Sequence, residues 1–374
     1  MIVLIGPTNP QFQGGIVEYT HYLAHALKGA GAPLTVVSFS RPYPKRFYKG
    51  QSTMPLTLPT INDERTLLDW LSPISWIRTW WSIKALDPSI VMLQWWTFFW
   101  ALPYLAIMLM LRFSTQTKIV IIVHNIKDHE PSWWKSLLSY LVLWLAHGYI
   151  THAKTMQEDL HALFPHKEVV VHLHPIPEAI APLPKKADAQ HALAVASPLL
   201  LFFGIVRPYK GLEVLLESLV LVQKKLPSIT LLVAGDFWGD EQRYHEKIAA
   251  LGLQKNVVLH NAFIPDTEVP QYMAAADVAV FPYLTATGTA STKLALRYCL
   301  PIIASSVGDI PDLFALGKVG AMVSPNSPEQ LSEAIIEFFI HKHSYQKAIQ
   351  TVSKQLTWDS LAQSVLAMLH TSHG

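Results

Sequence analysis

Residues 88–111, "PSIVMLQWWTFFWALPYLAIMLML", carry no charged side chain over 24 residues, a length that could cross a bilayer as one helix. The stretch reads better as a buried strand, "IVMLQW", then a turn and an apolar helix that Pro103 opens near its first turn. Two observations favour this reading. A second β-rich run, "KIVIIVHN", follows Thr117 at once, and Pro103 would fall in the middle of a membrane span. The alternative is an element embedded in, or lying on, a membrane.

Outward from this stretch the same alternation continues. "MIVLI", "LTVVSF", "IVMLQW", "KIVIIVH", "GYITHA" and "EVVVHL" are short β-rich runs separated by helix-length segments. Residues 181–198, "APLPKKADAQHALAVASP", are polar and rich in Pro and Ala, with the look of a linker at 183–198. The alternation restarts with "LLLFFGI", "ITLLVAG", "NVVLHNAF", "VAVFPY", "PIIASS" and "GAMVS". Strands apolar on both faces and spaced by helices predict parallel sheets covered on both sides. The expected fold class is therefore α/β, with two doubly wound, Rossmann-like domains facing across a cleft. Residues 1–182 form the first domain and 199–355 the second.

Composition agrees. A chain of 374 residues suits two domains, and 51% hydrophobic against 15% charged residues gives ample material for two cores. A net charge of +2 does not suggest a nucleic-acid binder. The single cysteine, Cys299, excludes an internal disulfide framework and fits a reducing compartment. "MIVLIGPTNP" lacks the basic region and cleavage site of a signal peptide, so a cytoplasmic location is expected.

In open parallel sheets ligands sit beyond the carboxyl ends of the strands, and three loops there are informative. After the first strand, Gly14 and Gly15 precede an amphipathic helix, where free N–H groups favour an anion; a simple tight turn is the alternative. In "FFGIVRPYKGLEVLLESL", Arg207 and Lys210 sit three apart before a helix. A guanidinium fork with an ammonium suits a diphosphate, against the plainer reading of two solvated surface cations. The third loop, "TATGTAST", offers hydroxyls and backbone N–H groups before "KLALRYC".

Together "GGIVEYTHYLAHAL", "GIVRPYKGLEVLLESL", "VVLHNAFIPDTEVPQYMAAADVAVFPY" and "PIIASSVGDIPDLF" resemble the retaining nucleotide-sugar glycosyltransferases of family 4, which have the GT-B fold. The resemblance covers nearly the whole chain and ends with "LTWDSLAQSVLAML", similar to the terminal helix, about 356–374, that crosses back onto the N-terminal, acceptor-side domain. It implies a metal-independent hexosyltransferase acting on a UDP- or GDP-linked sugar, with no cofactor. Gly14, Gly15, Arg207, Lys210, Ile264, Thr287, Gly288, Thr289, Ala290, Ser291 and Leu294 would line the donor, and His124, Arg207 and Lys210 would be catalytic. A buried structural histidine is the alternative for His124.

The chain departs from the family in the third loop. Many members carry two glutamates eight residues apart there, and those positions fall on Ala286 and Leu294. "TGTAS" resembles instead the "TQSG"-like loop of other members, which points to phosphate and sugar held by hydroxyls and N–H groups. Retention without a carboxylate nucleophile implies front-face transfer, with the cations stabilising the departing diphosphate. No Asp-x-Asp pair or His/Cys/Asp cluster implies a metal.

Trp95, Trp96, Trp100, Trp133, Trp134 and Trp144, with the basic run "RPYPKRFYKG" from Arg41, suit a membrane interface as well as a core. A lipid-linked glycan or surface polysaccharide is the expected acceptor of a peripheral enzyme on the inner face of the cell membrane. A catalytically inactive homologue, serving as a glycan-binding or partner subunit, is the alternative.

Overall fold

The structure, a computed structural model, describes residues 1–9, 15–41, 58–126, 132–177, 181–239, 241–341 and 344–370, with side chains to 368. It comprises two compact units, Met1–His172 with the C-terminal helix, and Leu173–Thr357.

In the first unit the chain runs β1 (Ile2–Ile5), α1 (Gly15–Gly29), β2 (Leu34–Phe39), β3 (Glu64–Leu68), α2 (Pro73–Ala85), β4 (Ile90–Trp95), α3 (Ala101–Ser114), β5 (Lys118–Val123), α4 (Trp133–Leu145), β6 (Gly148–Thr151), α5 (Lys154–Leu163) and β7 (Glu168–Val171). The sheet order is β3-β2-β1-β4-β5-β6-β7, and every neighbouring pair is parallel. Residues 88–111 thus divide into β4, a 3-10 turn (Phe98–Trp100) and α3, with Pro103 in the first turn of α3. Among the described residues no helix is long and apolar enough to cross a membrane.

Strand parity explains the unbroken apolar runs. Val3, Ile5, Val91, Leu93, Ile119 and Ile121 pack under α2–α5, while Ile2, Leu4, Ile90, Met92, Val120 and Ile122 face α1 on the other side. Each of these side chains is buried, worth about 1.5–3 kcal/mol apiece. β3 escapes the hydrophobic pattern because "ERTLL" is an edge strand whose first residue is exposed.

The second unit runs α6 (Lys186–Ala192), β8 (Leu199–Phe203), α7 (Leu212–Val222), β9 (Thr230–Ala234), α8 (Glu241–Ala250), β10 (Val257–His260), α9 (Val269–Ala275), β11 (Val278–Phe281), α10 (Ala290–Arg297), β12 (Ile302–Ser305), α11 (Ile310–Leu316), β13 (Gly320–Val323), α12 (Pro328–Ile340) and α13 (Gln346–Gln355). Its parallel sheet has the order β10-β9-β8-β11-β12-β13. The last helix, α14 (Trp358–His370), packs on α1 in the first unit, where the Trp358 ring stacks on Tyr22 and meets Tyr19 edge-on.

The linker expected at 183–198 is not one. α6 packs on α9, buries Ala189 and pairs Lys186 with Asp277, while Gln190 Nε2 donates to the Ala275 carbonyl at 3.0 Å. Alanine-rich sequence folds as helix once a partner face is supplied. The division between the units accordingly falls at 172/173 and not at 182/183.

Each sheet reverses its strand order once, between β1 and β4 and between β8 and β11. Such switch points open crevices at the carboxyl ends of the strands. Both candidate sites lie there.

Candidate functional site

In the second unit, Gly204 follows β8 and is held at φ +106. A Cβ there would lie 3.2 Å from Lys210 Nζ and 3.3 Å from Ser291 Oγ, so the missing side chain marks the point where these two polar groups converge. The chain then makes a 3-10 turn, Pro208–Lys210, and enters α7 through Gly211 at φ +71. A Cβ on Gly211 would stand 1.9 Å from the Pro282 carbonyl oxygen, so only glycine lets the loop after β8 lie against the loop after β11. The Leu284 N–H donates to the Tyr209 carbonyl at 2.8 Å and clips the two loops together.

This geometry holds two cations side by side. Lys210 is 8% exposed, its ammonium 5.7 Å from the Tyr283 ring centre. Burial, helped by the neighbouring Arg207 charge, lowers its pKa to about 8. The Arg207 guanidinium lies 4.1 Å over the Trp238 ring, whose Nε1 donates to Asp236 Oδ2 at 2.8 Å. Among the described residues neither cation has a carboxylate partner within salt-bridge distance. A buried ammonium beside a partly exposed guanidinium, with no counter-charge among the described residues, makes a site that an anion completes.

At the switch point of the first unit the chemistry is neutral. His124 closes β5, its N–H donating to the Trp95 carbonyl at 2.9 Å. His124 Nε2 lies 3.2 Å from Gln94 Oε1, Gln94 Nε2 donates to Thr20 Oγ1 at 2.7 Å, and Thr20 Oγ1 donates to the Ile16 carbonyl at 2.9 Å. Because the chain ends on a carbonyl, its direction is fixed: Gln94 presents its oxygen, and Nε2 of His124 carries the proton. In the neutral ring Nδ1 then holds the lone pair. Gly6 is required for this chain, since a Cβ there would come within 2.4 Å of Gln94 Nε2. The Tyr19 ring packs against both His124 and His152, and His152 Nδ1 donates to the His172 carbonyl at 2.7 Å.

Comparison with known proteins follows these units. Residues 185–355 match the family model of glycosyl transferases group 1, and residues 13–177 that of glycosyltransferase family 4. This chain carries two glycosyltransferase domains. Similar proteins include D-inositol 3-phosphate glycosyltransferase of Jonesia denitrificans, 27% identical over 47% of this chain and 43% of that protein. The match therefore spans less than half the length of that relative. Among solved structures, a glycosyltransferase from Rickettsia africae superposes with a TM-score of 0.73 at 18% identity, covering 100% of this chain and 99% of that one. Anabaena HepE, solved in complex with UDP, gives 0.70 at 16% identity over 99% of each chain. At these identities the likeness shows the fold, two parallel-sheet Rossmann-like domains of GT-B type.

Within the glycosyltransferase domains the expected site residues separate. Arg207, Lys210 and Ser291 gather at the switch point of the second domain. Thr287 and Gly288 are exposed in the loop before α10, and Ala290 is exposed as the first residue of that helix. Gly15 is the first residue of α1, and among the described residues no heavy atom would lie within 4 Å of a Cβ there. Gly14 lies outside the described residues, as does the basic run beyond Arg41.

Three residues differ from expectation. Thr289 is buried, and its hydroxyl donates to Asp309 Oδ1 at 2.6 Å while Lys293 Nζ donates to it at 3.2 Å. The hydroxyl expected on the donor is thus spent inside the protein. Leu294 is half-buried and packs against the apolar core, and Ile264 belongs to that core. Apolar side chains at these two places gain more from the core than from a polar ligand.

Lys293 and Asp309 themselves were not expected. They form an ion pair with both side chains fully buried beneath the loop. Next to Asp309, Gly308 at φ +59 carries the loop: a Cβ would lie 2.7 and 2.8 Å from the Thr287 and Ala286 carbonyl oxygens. The loop that looked free of acid therefore rests on one. The signal available in sequence was a lysine inside the apolar helix "KLALRYC", a position that burial penalises unless an acid pairs with it.

Proposed function

We propose that this protein is a retaining, metal-independent glycosyltransferase that moves a hexose from a UDP- or GDP-linked donor to a lipid-linked glycan or surface polysaccharide. It would work as a peripheral protein on the cytoplasmic face of the membrane. The observation that carries the reading is the pairing of Arg207 with buried Lys210 at the switch point of a glycosyl transferases group 1 domain, with no carboxylate within salt-bridge distance among the described residues.

The chemistry follows from that pairing. A nucleotide-sugar diphosphate placed on Arg207, Lys210 and Ser291 gains negative charge as the glycosidic bond breaks. A buried ammonium and a guanidinium held over the Trp238 ring stabilise that charge with little reorganisation. The protein offers no carboxylate on the loop of residues 281–301, so a leaving phosphate oxygen would take the acceptor proton while the acceptor attacks from the same face. In the first domain, the Thr20–Gln94–His124 chain holds the imidazole in one tautomer, which suits it to orient an acceptor hydroxyl.

A second reading is supported by Leu294, which occupies the position of a donor-binding glutamate in many relatives and packs into the core. On that reading the chain binds a glycan or a partner without catalysis. A thermal-shift panel of nucleoside diphosphates and nucleotide sugars separates the two. Stabilisation by a nucleoside diphosphate that disappears in Arg207→Ala/Lys210→Ala supports the transferase, whereas no response to any member of the panel supports the inactive homologue.

A further inference from the structure

We infer that the outer surface of α2, α3 and α4 is a docking face for an anionic lipid bilayer. The inference deepens the proposed membrane-associated acceptor by naming the surface, and its test does not depend on activity. α2 packs beside α3, with Trp80 Nε1 donating to Ser114 Oγ at 2.9 Å, and α3 packs beside α4. Each helix buries one stripe in the core of the first unit and turns a second apolar stripe to solvent.

The exposed stripes have helical spacing. Ile74, Ile77 and Trp81 lie on α2, Leu102, Leu109 and Phe113 on α3, and Trp133, Leu137, Leu141 and Trp144 on α4. Phe113 is 88% exposed, Trp133 79% and Trp81 58%. Single exposed apolar residues are ordinary, but three adjacent helices doing the same thing make a continuous patch, and such patches mark an interaction surface.

Charge identifies the occupant. The three helices carry Arg78, Lys84, Arg112 and Lys135 and no aspartate or glutamate. The Lys84 ammonium lies 5.4 and 5.7 Å from the Trp80 and Trp81 ring centres, and that of Lys135 4.7 Å from Phe98. Aromatic rings flanked by cations match the headgroup region of a bilayer, where the rings sit at the interface and the ammonium groups reach lipid phosphates. A protein partner with an acidic, apolar face would satisfy the same charges. A bilayer is favoured because the exposed anchors are Trp, Phe and Leu and the three helices carry cations and no acid.

The test is co-sedimentation of the whole protein with vesicles of equimolar phosphatidylglycerol and phosphatidylcholine, and with phosphatidylcholine alone. The wild-type protein should pellet with the anionic vesicles and be released by high salt. Trp81→Glu/Phe113→Glu/Trp144→Glu should bind them at least tenfold more weakly, while its nucleoside diphosphate response stays that of the wild type. Equal pelleting of the triple variant and the wild type overturns the assignment. So does a wild type that ignores vesicles but is a dimer which the triple variant dissolves, because the face would then join two copies. Should the triple variant not fold, quenching of wild-type Trp fluorescence by brominated anionic lipid reads the same contact, and absence of quenching overturns it.

Discussion

The two units share one architecture and cover it differently. On the second unit, α7 and α8 meet water through a network in which Lys247 lies 3.2 Å from Glu213 and also pairs with Glu217, while Arg243 pairs with Glu213. On the first, α2–α4 present Ile74, Trp81, Phe113 and Trp144 without one acid. The contrast recurs at the switch points, where the second unit gathers Arg207 and Lys210 and the first a neutral Thr20–Gln94–His124 chain. Equal folds with unequal surfaces teach that the sheet fixes where chemistry can sit, and that side chains outside the strands decide which chemistry it is.

The largest effect that would test the contrast is internal to the second unit. Lys293→Met leaves Asp309 buried without its partner and should cost about 3–5 kcal/mol of stability. Adding Asp309→Asn should recover much of that loss. Calorimetric melting of the single and double variants checks both, and equal melting of Lys293→Met and the wild type would refute the buried pair.

Next is the cationic switch point. Arg207→Ala and Lys210→Ala should each lower transfer by about 10²–10³, roughly 2.7–4 kcal/mol of transition-state stabilisation, with melting little changed. Turnover of nucleotide sugar by the purified variants measures this; undiminished turnover in the double variant would remove the clamp.

A smaller effect is a pH dependence. Lys210 titrates near 8 in the folded protein, below its ordinary 10.5. The protonated form is the one that binds an anion, so nucleoside diphosphate affinity should fall as pH rises through about 8, by up to tenfold per unit until bound Lys210 also titrates. The stability contribution has the opposite sign: the unfolded chain binds the extra proton between pH 8 and 10.5, so stability rises with pH across that window. Calorimetric titration from pH 7 to pH 9.5 should show the fall, and Lys210→Arg should abolish it.

The smallest effect separates the two outer layers. Lys247→Met removes a partly exposed ion-paired cation and should cost no more than about 1 kcal/mol. Lys84→Met, at a residue that lies over the Trp80 and Trp81 rings and pairs with no acid among the described residues, should leave melting nearly unchanged and weaken only vesicle binding. A large stability loss from Lys84→Met would make that face structural.

The sheets and the pairing of Arg207 with Lys210 were legible before folding. Unbroken apolar runs such as "IVMLQW" and "LLLFF" bury both faces, and a repeated spacing of strand and helix leaves few topologies besides a doubly wound one. Arg207 and Lys210 were legible because they are three residues apart beside a strand end, so local spacing alone brings them together. What depends on distant partners emerges only once the chain has folded. Asp309 reaches Lys293 and Thr289 from 16 and 20 residues away and takes the hydroxyl that seemed available to a ligand. Gln94 meets Thr20 across 74 residues and gives His124 its tautomer. The same holds for the outer face of α2–α4: each helix is apolar in sequence, but only folding shows which stripe the core consumes and which stays exposed. Local pattern specifies elements through backbone period and burial, whereas hydrogen-bond satisfaction is a property of groups that meet only after the chain has closed.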